Sequence, residues 1–172
     1  MPETDIGSTD YGDMRNVVTD VKVPTSTLDS PANQKETPYV NDKWTEQLGF
    51  YDNIPEVMAV VDAKARWCLG KGFVADPATE MLLDMIKGTS KDTFNTILEN
   101  MIRIYQIGGD AFAEIIRNDD GVLINLKPLS PSNMRIIAND KGIIIRYEQI
   151  DKDGKRIGDG FDPDKIFHLM RN

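Results

Sequence analysis

Between Tyr105 and Ala111 the hydrophobic pattern changes its period, and that change constrains the fold more than any other feature of the chain. Upstream, Phe94, Ile97, Leu98, Met101, Ile102 and Tyr105 recur at intervals of three and four, the spacing of one face of an α-helix. Gly108-Gly109 ends that run. Downstream the period falls towards two, and β-branched residues gather in Ala111–Ile116, Val122–Leu126, Met134–Ile137, Ile143–Ile150 and Ile166–Leu169, which read as five strands. The breaks hold Asp119-Asp120-Gly121, Pro128 with Pro131, Asp140-Lys141-Gly142 and the polar run 151–160, all turn chemistry. Short polar turns cannot carry parallel crossovers. Helices first and strands afterwards therefore predict an α+β domain, its helices packed on one face of a mainly antiparallel β-sheet.

Two further helices precede the clearest one. Val57, Val60, Val61, Ala65, Cys68 and Leu69 follow Pro55 at helical spacing, with Asp52 or Asn53 available as a cap, and Gly70 and Gly72 beyond the end. Asp76-Pro77 opens the next, with Met81, Leu82, Met85 and Ile86 read as inward and Gly88 past the end. The expected helices thus cover 54–69, 77–87 and 91–107. Residues 1–40 are mostly polar, Pro and Gly with short valine patches, too little apolar surface to offset ordering entropy, and read as a flexible arm. The α+β domain is expected over 41–172.

Charge and cysteine content narrow the function classes. With 20 Lys and Arg against 28 Asp and Glu, the net charge of -8 repels a phosphate backbone, so a tight grip on DNA is not expected. A single cysteine, Cys68, cannot form an internal disulfide and suits a reducing compartment. No run of about 18 apolar residues and no basic-then-apolar leader is present, so neither a membrane span nor a secretory signal is expected.

No residue set carries a recognisable chemistry, and the expectation is no catalytic, cofactor-binding or metal site. Gly70-Lys71-Gly72 lacks the spacing and the Ser or Thr of a phosphate loop and reads as a helix end. The run Asp151-Lys152-Asp153-Gly154-Lys155-Arg156 opens like a calcium loop, but two cations stand where a ligand and the obligatory glycine belong, leaving a polar hairpin turn. His168, the only histidine, alternates with Ile166 and Met170 on one side of a strand and reads as structural, with Cys68 the only other soft donor. Asp62, Glu80, Glu99, Asp110 and Glu114 are too ordinary in their abundance to specify an acid–base pair. Met81, Met85 and Met101 read as core filling, and the cluster Trp44, Phe50 and Tyr51 as core before interface.

Three stretches together resemble tailed-bacteriophage portal proteins. They are Trp44–Gly72, Gly108–Leu129 with its Gly109-Asp110, Arg117, Gly121 and Leu126-Lys127-Pro128-Leu129, and Phe161–Asn172 with Ile166-Phe167-His168-Leu169. The resemblance implies the outer, wing-like α+β part of a ring, usually dodecameric, at one capsid vertex of the virion, assembled in the host cytoplasm. It implies capsid and scaffold proteins, a packaging terminase and a head-tail adaptor as partners, no membrane, and double-stranded DNA passing through without sequence-specific binding. An acidic wall would suit such sliding. It also implies that the chain is the front portion of a longer protein, without the family's stem and clip. The rival expectations are a small hydrolase with a carboxylate pair and a monomeric binding module.

Overall fold

The computed structural model describes residues 36–72, 74–89 and 91–170. Most of the expected flexible arm, residues 1–35, lies outside the described residues, as do Ser90, the expected lead-in to the third helix, and the last two residues. The element order is β1 (Thr37–Val40), α1 (Trp44–Asn53), α2 (Pro55–Leu69), α3 (Pro77–Asp84), α4 (Phe94–Gly108), β2 (Asp110–Arg117), β3 (Leu123–Leu129), β4 (Met134–Ala138), β5 (Ile144–Ile150), β6 (Arg156–Phe161) and β7 (Ile166–Met170). Short 3-10 turns at Pro131–Asn133 and Pro163–Lys165 lead into β4 and β7. The fold is α+β with every strand pair antiparallel.

The strands form two sheets where one was expected, ordered β1-β4-β5-β6 and β3-β2-β7. Strand β2 explains why. Its alternation sends Ala111 and Ala113 to one face and Phe112 to the other, and all three are buried. The alanine face packs with Ile86, Ile97, Met101 and Leu126 into a core under α4. The Phe112 face joins Leu129, Met134, Tyr147 and Ile166 in a second core between the sheets. The result is helices, a three-stranded sheet and a four-stranded sheet in successive layers.

Helix α4 buries Ile97 and Met101, as its period requires, and Thr93 caps it by accepting a hydrogen bond from the Thr96 N–H. Gly109 ends it in the left-handed region at φ 84°, where its N–H reaches the Tyr105 carbonyl at 2.8 Å. Asp76 caps α3 as expected, accepting from the Ala78 and Thr79 N–H groups.

Other expectations are corrected. Helix α3 stops at Asp84 and fully buries none of its residues; Met81 is 70% and Met85 58% exposed, and the core is reached by a partly buried Leu83 and by Ile86, past the helix. Their apolar spacing is real, but among the described residues Met81 and Met85 meet no covering surface. On α2 only Val61 and Ala65 are buried, while Val57, Val60 and Cys68 are exposed, because α2 covers α4 with one narrow face. Neither Asp52 nor Asn53 caps α2, since both continue α1 and Ile54 occupies the cap without a side-chain bond. Helix α1 is not among the expected helices, and β1 falls within the residues 1–40 expected as a flexible arm. The run 151–160 holds a turn followed by β6, whose Gly158 and Gly160 adopt φ of 68° and 81° and kink this edge strand.

Trp44, buried at the start of α1, packs its six-membered ring against the end of α4. A Cβ on Gly108 would come within 2.4 Å of its ring atom Cζ3. Helix and ring meet only because that side chain is absent. Gly108→Ala should destabilise the domain by about 2 kcal/mol through overpacking, a fall of roughly 6 °C in the melting temperature. Trp44→Leu in the Gly108→Ala background should recover part of that loss, measured by thermal melts followed by circular dichroism.

Candidate functional site

The single histidine is placed by three strands. His168 on β7 pairs with Phe112 on β2 in register, and the rings stack at 4.4 Å between centroids. Its Nε2 lies 3.0 Å from Asp110 Oδ1, and its Nδ1 lies 3.1 Å from the hydroxyl of Tyr147 on β5. One tautomer satisfies all three groups: Nε2–H donates to Asp110, and the Tyr147 O–H donates to Nδ1. Burial, and then the Asp110 charge, pushes the Tyr147 hydroxyl above its ordinary pKa, holding it as a donor. The chain Asp110–His168–Tyr147 joins the two sheets across their shared core. The structure thus gives His168 the fully partnered role expected from its alternation.

The carboxylates singled out in the sequence are distributed, not convergent. Asp62 accepts from the Tyr51 hydroxyl at 2.9 Å and from Arg103 Nε at 2.6 Å, and Arg103 also donates to Glu99 at 2.9 Å. These bonds tie α1, α2 and α4 together. The Arg103 and Tyr51 hydrogen bonds hold Asp62 below its usual range. Glu80 is exposed in the first turn of α3. Asp110 belongs to His168, and Glu114 faces Lys127 at 3.9 Å. Asp110 and Glu114 lie four residues apart on β2, roughly 13 Å along the strand, too far for the carboxylate spacing of a hydrolytic pair. Cys68 is exposed on α2, while the His168 side chain is only 5% exposed between the sheets, so the two are not brought together.

The glycine and calcium-like motifs take their simple forms. Gly70 N–H reaches Arg66 O at 2.7 Å and Gly72 N–H reaches Leu69 O at 3.0 Å, so these amides close the end of α2. Asp151 Oδ1 accepts from the Asp153 and Lys155 N–H groups at 3.0 and 2.8 Å, folding the turn before β6. Among the described residues no group of three His, Cys, Asp or Glu is placed to hold a metal ion, and no helix is long and apolar enough to cross a membrane.

The most strongly coupled group was not singled out in the sequence. Glu148 on β5 is 1% exposed. Its Oε2 accepts from Arg135 Nε and Nη2 at 2.9 and 2.6 Å, its Oε1 accepts from Arg146 Nε at 2.8 Å, and Arg156 stands 3.7 Å away. Arg146 in turn holds Glu36 through two bonds of 2.8 and 2.6 Å, pinning the chain just before β1. Register puts Arg135 directly opposite Glu148 across β4 and β5. Burial alone would push the Glu148 carboxyl up, but the Arg146 and Arg135 hydrogen bonds outweigh it and hold the group below the ordinary value of 4.5. A charge-alternating strand, Arg146-Tyr147-Glu148, was the available signal; the partner strands were not.

No family model and no curated protein matches the chain. Solved structures do. The fold is similar to that of a chain in the virion of a native gene transfer agent particle, with a TM-score of 0.64 and 17% identity over 78% of this chain and 37% of that one. It is also similar to chains in the neck of the empty particle computed with C6 symmetry, TM-score 0.64 and 16% identity over 78% of this chain and 38% of the other. A third match is to the neck of the native particle computed with C12 symmetry, TM-score 0.62 and 16% identity. At such identity the likeness is one of fold, a layered α+β domain shared with particle-neck chains. This chain spans a little over a third of the length of the chains it matches.

Because the folded-state pKa of Glu148 is depressed, the stability it contributes is present above the ordinary carboxylate range and is lost as pH falls below about 4.5. Glu148→Gln should cost about 3 kcal/mol at pH 7 by leaving buried guanidinium charge unpaired. The difference from the parent should shrink steadily in urea melts taken from pH 5 down to pH 3.

Proposed function

We propose that this chain is the wing-like α+β part of a phage-type portal, an inert structural piece of a ring at the capsid vertex. In this reading the ring forms the passage through which DNA is packaged and ejected. It also seats the terminase first and the neck or tail proteins later. The chain performs no catalysis, and the work of packaging belongs to the terminase.

The observation that carries this reading is the likeness of fold over 78% of the chain to components of gene transfer agent particles, whose necks were computed with sixfold and twelvefold symmetry. The sequence resemblance to portal proteins over residues 41–172 supports it from a separate direction. So does the architecture, in which Asp62, Asp110, Glu148 and His168 serve as ties between helices, strands or sheets. The net charge of -8 favours passage of DNA without adhesion.

Native mass spectrometry of the protein under assembly conditions tests the reading. A closed ring, with twelve copies expected, supports it; a monomer at all concentrations overturns it. Measured turnover on a polymer substrate that Asp110→Asn or Glu114→Gln abolishes would also count against it.

A further inference from the structure

The four-stranded sheet ends on a strand that is fixed at both ends and little buried between them. Strand β1 pairs with β4 alone, Thr37 to Val40 lying opposite Ala138 to Arg135. None of its four residues is fully buried, and Tyr39 and Val40 are 46% and 44% exposed. Pro38 brings no N–H to the ladder. At the base of the strand, Asn41 Nδ2 donates to Gln47 Oε1 at 3.0 Å and to the Gly108 carbonyl at 3.1 Å, which fixes the chain to α1 and α4. At its tip, Glu36 accepts from both terminal nitrogens of Arg146 at 2.8 and 2.6 Å.

The two sides of that tip contact are unequal. Arg146 is held from the core side as well, since its Nε donates to the buried Glu148 at 2.8 Å, so the guanidinium stays aimed whether or not Glu36 is present. Glu36 has no second hold of this kind among the described residues. Its hydrogen bonds from Arg146 keep its carboxyl below the ordinary 4.5, charged through the neutral range. Losing Glu36 therefore frees β1 and leaves the Glu148 network standing, whereas losing Arg146 strips a buried carboxylate of a donor. Strand β4, by contrast, is interior: it pairs on both sides and buries Met134, Ile137 and Ala138.

We propose that β1 is a releasable strap with the Glu36–Arg146 ion pair as its clasp, and that it lifts from β4 while the rest of the domain stays folded. Local opening of this kind draws on the least buried elements of a fold. Lifting the strap removes the Tyr39 and Val40 wall from a cavity of about 210 Å³ between the sheets, so Asp110, Phe112 and Met134, which also line it, gain access to solvent. Residues 1–35 join the domain at the clasp, and a pull on them acts there first. The strap is a property of the single chain and does not depend on assembly into a ring.

Native-state hydrogen exchange on the full 172-residue chain tests it, comparing the slowest amide of β1 with the slowest of β5 at rising sub-denaturing urea. In the parent, the β1 amide should exchange at least roughly tenfold faster and respond little to urea, because lifting four residues exposes little surface. Glu36→Gln should speed β1 exchange by about tenfold more, the loss expected for hydrogen bonds between charged groups, with β5 exchange and the melting temperature unchanged. Arg146→Leu should instead lower the melting temperature and speed both strands.

Equal exchange of β1 and β5 in the parent overturns the strap, since the strand then opens only with the whole domain. Glu36→Lys is the second variant, because a glutamine can keep part of the contact while a lysine repels Arg146. If neither substitution speeds β1, or if either speeds β5 by the same factor, the clasp is overturned. An Arg146→Leu chain that melts like the parent overturns the claim that Arg146 is held from the core side.

Discussion

The architecture depends on one strand having two faces of different size. On β2, Ala111 and Ala113 let the α4 backbone approach the sheet, while Phe112 between them fills the space towards the other sheet. Small side chains towards the helix and a large one towards the second sheet give three layers from a single eight-residue element. Apolar burial on both faces is the main favourable term on each side. An enlarged residue at 111 or 113 would meet Ile97 or Met101 with no room to yield.

Polar ties set the alignment of these layers. Asp62, Arg103 and Glu99 hold the helices to one another; Asp110, His168 and Tyr147 join the two sheets; Glu148 and its arginines lock the four-stranded sheet together with the chain entering β1. Buried ionic groups of this kind add little net stability compared with apolar packing, but leaving one member unpaired is costly. They favour one arrangement over its near alternatives. That suits a part whose proposed task is to present the same shape many times over.

What could be read in the sequence depended on whether the responsible contacts were local. The period of Phe94 to Tyr105 marked α4, and the β-branched runs marked β2, β3, β4, β5 and β7 to within a few residues. Helix α1 escaped because Gly49 and its polar neighbours blur the stripe, and β6 escaped because Gly158, Asp159 and Gly160 have neither β-branching nor alternation. The inward reading of Met81 and Met85 failed because spacing reveals a face but not what it meets. The same limit hid the polar ties. His168 could be placed on a strand face, yet Asp110 lies 58 residues from it in sequence and Tyr147 lies 21. Cross-strand pairing, which puts Arg135 opposite Glu148, is a tertiary fact.

The kinked edge at β6 bears on how such molecules tolerate crowding. A straight outer strand offers its unpaired amides and carbonyls to any passing backbone. With two left-handed glycines, 158 and 160, this border bends out of register and gives a poor template for another strand. On the smaller sheet, Pro128 removes one donor from the outer strand β3. Molecules held shoulder to shoulder at high density can then adhere through their side chains while their sheets remain separate, and close company does not become fibrillar fusion.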